Sequence, residues 1–155
     1  MLLTVDVGNT QTALGLYAAM ELAAHWRLAT EHSTTVDELG VLLSGLLDFE
    51  DVDGICLAST VPVVVREWEA LADKWAHAPL LVVGPGVKTG ITIRYDDPRE
   101  VGADRIVNSV AAKKRYGAPV IVVDFGTSTN FDVVSADGEY VGGVIAPGIE
   151  ISMDA

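Results

Sequence analysis

Residues 5–17 read VDVGNTQTALGLY, and residues 123–135 read VDFGTSTNFDVVS. Aligned on their aspartates, Asp6 falls on Asp124, Gly8 on Gly126, Asn9 on Thr127 and Thr10 on Ser128, an offset of 118 residues (124 − 6). Each stretch is an apolar strand, an Asp-x-Gly turn, two small polar residues and a returning strand. Glycine at the turn lets the backbone approach a ligand closely, because it carries no Cβ. Backbone N–H groups and short hydroxyls there suit phosphate oxygens, and the carboxylate suits a cation. One such turn is an ordinary hairpin. Two in matching context imply a duplicated domain that clamps a nucleotide between its halves.

The segments around the repeat supply the rest of the pattern. Residues 2–7 (LLTVDV) read as a buried strand, followed by strands over 12–17 and 22–29, which together make a β-meander. Thr35 and Glu38 form a capping box ahead of a helix whose Leu39, Leu42, Leu43, Leu46 and Leu47 share one face. DGICLAST (53–60) is a fourth strand with Cys56 as buried packing. A second helix starts near Pro62, and the spacing of Val64, Val65, Trp68, Leu71, Ala72 and Trp75 puts both tryptophans in the core. A short strand over 80–83 precedes a turn or loop at Gly84-Pro85-Gly86. Pro98 suits the first turn of a short helix capped by Asp97, and a longer helix spans about 103–116, stopped by Gly117 and Pro119. VIVVD, TNFDVVS and EYVGGVIAP then repeat the meander, with Asp137-Gly138 at the hairpin. Alternating strands and helices mean an α/β fold.

Composition excludes several classes. Twenty-two acidic against 10 basic residues give a formal charge of −12, the opposite of a nucleic-acid surface. The basic run Lys113-Lys114-Arg115 lies where a helix ends and reads as a solvated face favoured by the helix dipole. A single cysteine allows no disulfide framework, so a reducing compartment is expected. His25, His32 and His77 lack ligand spacing and read as surface or packing residues. No stretch reaches the roughly 20 apolar residues of a membrane span, and the start of the chain has no basic leader. A cytoplasmic protein with neither nucleic-acid nor membrane partners is expected.

The repeat divides the chain into a first domain, 1–118, and the beginning of a second, 119–155, which has only 37 residues (155 − 119 + 1). The second meander is present without its helices. A shortened product of a longer parent is expected.

DVGNT at 6–10 and DFGT at 124–127 resemble the paired phosphate motifs of the actin, sugar-kinase and chaperone-ATPase superfamily. The intervening GPGVKTGI and DDPREVGADRIVN are similar to type III pantothenate kinases, and VGADRIVN is the most specific part. The resemblance implies an actin-like (ribonuclease H-like) domain followed by the first strands of its duplicate. It implies ATP-dependent phosphorylation of pantothenate, the first committed step of coenzyme A synthesis, by a homodimer. Asp104 of GADR would be the catalytic base, kept ionised by its place at a helix start. Arg105 would hold the pantothenate carboxylate, with Tyr95, Gly102 and Ala103 also at the substrate. Asp6 would face the ATP phosphates through hydrated Mg²⁺, and Val7, Gly8, Asn9, Thr10, Gln11, Thr12 and Ala13 would line the nucleotide. Thr127 would contact ATP, and Asp124 would bind potassium or ammonium. The second loop departs from the family in having Ser128 and Asn130 where Ala and Thr are usual. The competing class is a nucleotide-responsive regulatory module of the same superfamily. A pure switch has no need of a base such as Asp104, and that discriminates the two.

Overall fold

The computed structural model describes residues 1–84 and 86–153, without the side chain of residue 150. Two compact units emerge, Met1–Val83 and Gly84–Ala155. The expected boundary at 118/119 marks where the repeat begins. Compactness divides the chain earlier, because the helix preceding the second meander packs against that meander.

In the first unit, β1 (Leu2–Val7), β2 (Gln11–Ala18) and β3 (Glu21–Ala29) form the antiparallel meander. β4 (Gly54–Ser59) then joins the other edge of β1 in parallel, and β5 (Leu80–Val82) joins β4, giving the order β3-β2-β1-β4-β5. Parallel pairing needs a crossover, and the helical segment between β3 and β4 supplies it. α1 (Val36–Ser44) opens on the capping box of Thr35 and Glu38, both halves formed. α2 (Pro62–Leu71) opens on proline and runs into a π-helical turn at Ala72–Ala76. Leu3, Val5, Leu14, Leu43, Leu57, Trp68 and Leu71 meet in the core between sheet and helices.

Two details differ from the sequence pattern. Leu42 is half exposed, because α1 turns Gly40 rather than Leu42 toward α2 and receives the Trp75 ring there. Cys56 is only partly buried, since Ile55 and Leu57 take the core side of β4. Desolvation pushes its thiol above the ordinary value.

In the second unit, a 3-10 turn at Pro98–Glu100 is capped by the Asp97 side chain, as the proline suggests. α3 (Ala103–Tyr116) ends at Gly117, whose φ of +85° suits glycine. β6 (Val120–Phe125), β7 (Ser128–Val134) and β8 (Tyr140–Pro147) pair antiparallel in sequence order. The Asp137-Gly138 turn has Gly138 at φ +74°. Lys113 does not simply point to solvent: its Nζ donates to the Gly138 carbonyl at 2.8 Å and ties α3 to that hairpin. α4 (Ile149–Met153) follows, a short helix the sequence pattern did not show. Pro85 of the expected 84–86 turn lies outside the described residues.

α3 covers one face of this sheet. The opposite face stays apolar and open, with Ile121, Val123, Phe125 and Val144 exposed. No helix among the described residues is long and apolar enough to cross a membrane.

Candidate active site

Both aspartates of the repeat occupy the same place in their meanders. Asp6 and Asp124 each stand one residue before the end of a strand, next to Val7 and Phe125, and each strand leads into a glycine. The two turns are not copies, however. Val7 pairs with Thr12 across a four-residue loop, whereas Phe125 pairs with Thr129 across a three-residue loop. Asp6 therefore faces Ala13 on the neighbouring strand, and Asp124 faces Asn130. Beyond the turn, residue-for-residue alignment slips by one.

The first turn is held from its own unit. Gly8 N–H donates to the Gln11 carbonyl at 3.0 Å, and a Cβ at Gly8 would lie 3.1 Å from that oxygen. The Thr30 hydroxyl donates to the Gly8 carbonyl at 2.8 Å and meets the buried Thr12 hydroxyl at 2.9 Å. His32 Nε2 lies 3.0 Å from the Asn9 carbonyl, so one of the three scattered histidines braces this turn. Asn9, Thr10 and Gln11 are exposed at its tip, while Val7 is buried and Asp6 and Ala13 are partly buried.

The second turn closes with Gly126 N–H donating to the Ser128 carbonyl at 2.9 Å. Thr127 is exposed at its tip. A Cβ at Gly148 would come within 2.3 Å of the Thr127 carbonyl, so glycine is needed where the chain after β8 crosses the loop. Ser128 and Asn130, the residues expected to depart from the family pattern, touch each other: the Ser128 hydroxyl donates to Asn130 Oδ1 at 3.1 Å.

α3 brings three polar groups to the same unit. Asp104 and Asn108 are four residues apart and share a helix face. Asn108 Nδ2–H donates to Asp124 Oδ2 at 3.3 Å, joining the VGADRIVN segment to the second turn. Asp104 Oδ1 is buried without a hydrogen-bond partner among the described residues. Burial pushes the Asp104 carboxyl above its ordinary value. The Arg105 backbone N–H and charge pull it back, and Asp124 and Asp132 push it up further. The expectation that the helix start keeps Asp104 acidic is thus reversed: the shift is upward, and burial is its largest cause. A carboxylate with a raised pKa is a better proton acceptor.

Arg105 is not free to offer its whole guanidinium. Nε–H donates to Asp132 Oδ1 at 2.6 Å, and Nη2 reaches the Phe131 carbonyl at 3.5 Å. Tyr140 O–H donates to the same Asp132 oxygen at 2.8 Å, and its ring centroid lies 6.0 Å from the guanidinium carbon. Burial, then the bond to Asp132, holds the Tyr140 phenol well above its ordinary value, so it stays a donor. Neither Asp132 nor Tyr140 stands out in the sequence. Asp132 shares strand parity with buried Val134, which was the available sign that it faces inward. Gly102 and Ala103 form the start of α3, and the Tyr95 ring lies where a Cβ at Gly142 would touch it, 3.7 Å away. An open cleft of about 450 Å³ runs beside Val87, Ile93, Asp97, Arg99 and Val101, and none of Asp104, Arg105 and Asp124 lines it.

Among the described residues, no group of three or more His, Cys, Asp or Glu side chains gathers to hold a metal ion.

The meander, its parallel extension and its repetition define an actin-like α/β fold. The Ppx/GppA phosphatase of Aquifex aeolicus superposes with a TM-score of 0.58 at 13% identity, over 99% of this chain and 54% of that one. An ethanolamine utilization protein of Carboxydothermus hydrogenoformans gives 0.51 at 15% identity, over 94% of this chain and 51% of that one. The family profile of type III pantothenate kinase matches residues 2–155, and the chain belongs to that family. It is 56% identical over 160 residues to the type III pantothenate kinase of Acidothermus cellulolyticus. It is 53% identical over 161 residues to that of Moorella thermoacetica. All of this chain is covered in both, against 62% and 63% of the relatives, so the chain spans under two thirds of their length.

Proposed function

We propose that this protein serves ATP-dependent phosphorylation of pantothenate to 4′-phosphopantothenate, the entry to coenzyme A synthesis. The observation that carries the reading is Asp104, a carboxylate raised in pKa by burial at the start of α3 with Arg105 beside it. Family membership supports pantothenate as the substrate.

In the proposed step, Asp104 accepts the proton of the pantothenate primary hydroxyl as that oxygen attacks the γ-phosphorus of ATP. A new P–O bond forms, the bond to the β,γ-bridging oxygen breaks, and ADP leaves. Such transfer depends on alignment and charge neutralisation more than on covalent help. Arg105 and Tyr95 hold the substrate, with Gly102 and Ala103 giving it room. Asp6 would hold hydrated Mg²⁺, while Val7, Gly8, Asn9, Thr10, Gln11, Thr12 and Ala13 would line ATP, and Thr127 would contact it. Asp124, one of whose oxygens accepts from Asn108, would take potassium or ammonium. Bound cations would neutralise charge on the phosphates. We extend the reading to domains at 1–118 and 119–155, a homodimer and a cytoplasmic location.

The test is ADP release by the purified chain with ATP, Mg²⁺ and K⁺, with and without pantothenate. Pantothenate-dependent release that is lost in Asp104→Asn supports the reading. Release indifferent to pantothenate favours a nucleotide-responsive switch.

A further inference from the structure

An arginine side chain holds substantial rotamer freedom, and a bidentate contact requires most of it to be lost beforehand. In this fold that loss is imposed by two residues that lie 27 and 35 positions beyond Arg105 (132 − 105 and 140 − 105). Asp132 takes the Nε–H at 2.6 Å from β7, and Tyr140 on β8 lies under the guanidinium while donating to the same carboxylate oxygen at 2.8 Å. Asp132 and Tyr140 are each only 1% exposed. The strand pair also leaves a slot: a Cβ at Gly143, opposite Asp132, would lie 2.4 Å from Arg105 Nη2 and 1.9 Å from the Phe131 carbonyl oxygen.

The arrangement is a poor device for stability. Asp132 Oδ1 accepts both hydrogen bonds, while Oδ2 is buried with no partner among the described residues. A buried ion pair with an unsatisfied oxygen is often matched or bettered by apolar packing. Its geometry has a specific consequence instead. Arginine grips a carboxylate either side-on, through Nε and one Nη, or end-on, through both Nη groups. Nε is committed to Asp132 and one N–H of Nη2 reaches the Phe131 carbonyl at 3.5 Å, so an end-on approach to Nη1 and the other N–H of Nη2 is what is left for a ligand.

We propose that Asp132 and Tyr140 are positioning residues that aim the two Nη groups of Arg105 at the carboxylate end of pantothenate. The proposal rests on the reading that Arg105 meets that carboxylate. The carboxylate is what separates pantothenate from pantothenyl alcohol, which has a hydroxymethyl group in its place, so the residues act on the preference between these two compounds.

The test titrates the 155-residue chain and its Asp132→Asn and Tyr140→Phe variants with each compound by ligand-observed NMR. The Arg105 Nε–H resonance is followed in parallel. Tyr140→Phe leaves the ion pair in place and guards against a result that reflects only misfolding in Asp132→Asn. We expect the wild type to prefer pantothenate. The preference drops by about tenfold in Asp132→Asn and about threefold in Tyr140→Phe, with affinity for the alcohol unchanged. The Arg105 Nε–H signal broadens in the same order. Variants that keep the full preference would overturn the positioning role and leave the Arg105 contact standing. A wild type that prefers neither compound, or binds neither, would overturn the contact itself and the proposal with it.

Discussion

A β-carbon on Gly102 would lie 2.4 Å from Asp104 Oδ1, so the bare α-carbon before α3 is what lets the Asp104 carboxylate fold back over the helix start. Gly102 has φ −56° and ψ 143°, angles that any residue adopts. The glycine is therefore required by the neighbouring carboxylate and not by the backbone. The GADR sequence is a steric unit in which residue 102 sets the environment of residue 104.

Gly102→Ala follows directly. Alanine fits the backbone, and replacing glycine at this helix-capping position changes stability by less than about 1 kcal/mol. Its methyl expels the carboxylate from its pocket, and the desolvation that raises the Asp104 pKa is lost with it. A ¹³C-detected carboxyl titration is expected to show Asp104 raised in the wild type and near its ordinary value in the variant. An unchanged titration would mean that the carboxylate does not depend on Gly102.

Asp104→Asn is expected to stabilise the protein while removing the proposed base. The folded Asp104 keeps its proton to higher pH than the unfolded chain does. Between the unfolded and folded pKa values the folded state binds more protons, so stability falls as pH rises through that window. The contribution is fully present below the ordinary value of 3.8 and lost above the folded value. Asparagine removes this pH dependence. Thermal unfolding from pH 3 to pH 8 should show the variant gaining on the wild type as pH rises, most at neutral pH. Pantothenate-dependent turnover should fall by about 10²–10⁴-fold.

How far the sequence carries the fold depends on the range of each interaction. The Asp6 and Asp124 turns are legible because Asp-x-Gly is a local signal, and so are the Thr35–Glu38 box and the Pro98 turn. The shorter second loop is not, because register is set across strands: Asp6 faces Ala13 while Asp124 faces Asn130. Asp132 is hidden for a similar reason. Its parity with Val134 points inward, but what makes burial of the charge tolerable is its pairing with Arg105, 27 residues away. Tyr140 is likewise unmarked in the sequence, because its hydroxyl's partner, Asp132, lies on the neighbouring strand. The helical face of α1 shifts because Gly40 and Trp75 fit together, a contact between distant segments.

The bond between Ser128 and Asn130 makes the two residues a coupled pair. Ser128→Ala or Asn130→Thr alone removes one partner of a partly buried hydrogen bond and is expected to cost about 0.5–1.5 kcal/mol. Together the two changes leave no stranded partner, so the double variant should lie closer to the wild type than the sum of the singles. Urea unfolding of all four proteins gives the interaction energy. Strict additivity would mean the bond contributes nothing at this loop.

Gly40 sets two physical effects against each other. Replacing a glycine inside a helix by alanine gains up to about 1 kcal/mol from propensity alone. At Gly40, however, the new Cβ would lie 2.1 Å from Trp75 Cε2. The indole is rigid and packs at 5.9 Å, centroid to centroid, against Phe49, so it has little room to yield. Overpacking of this kind costs about 1–3 kcal/mol, which exceeds the propensity gain. Gly40→Ala is therefore expected to lower the unfolding midpoint. Trp75→Phe in the same background should restore part of the loss by removing the ring atoms that Cβ meets. If Gly40→Ala instead raises the midpoint, helix propensity governs this position and the α1–Trp75 contact is loose.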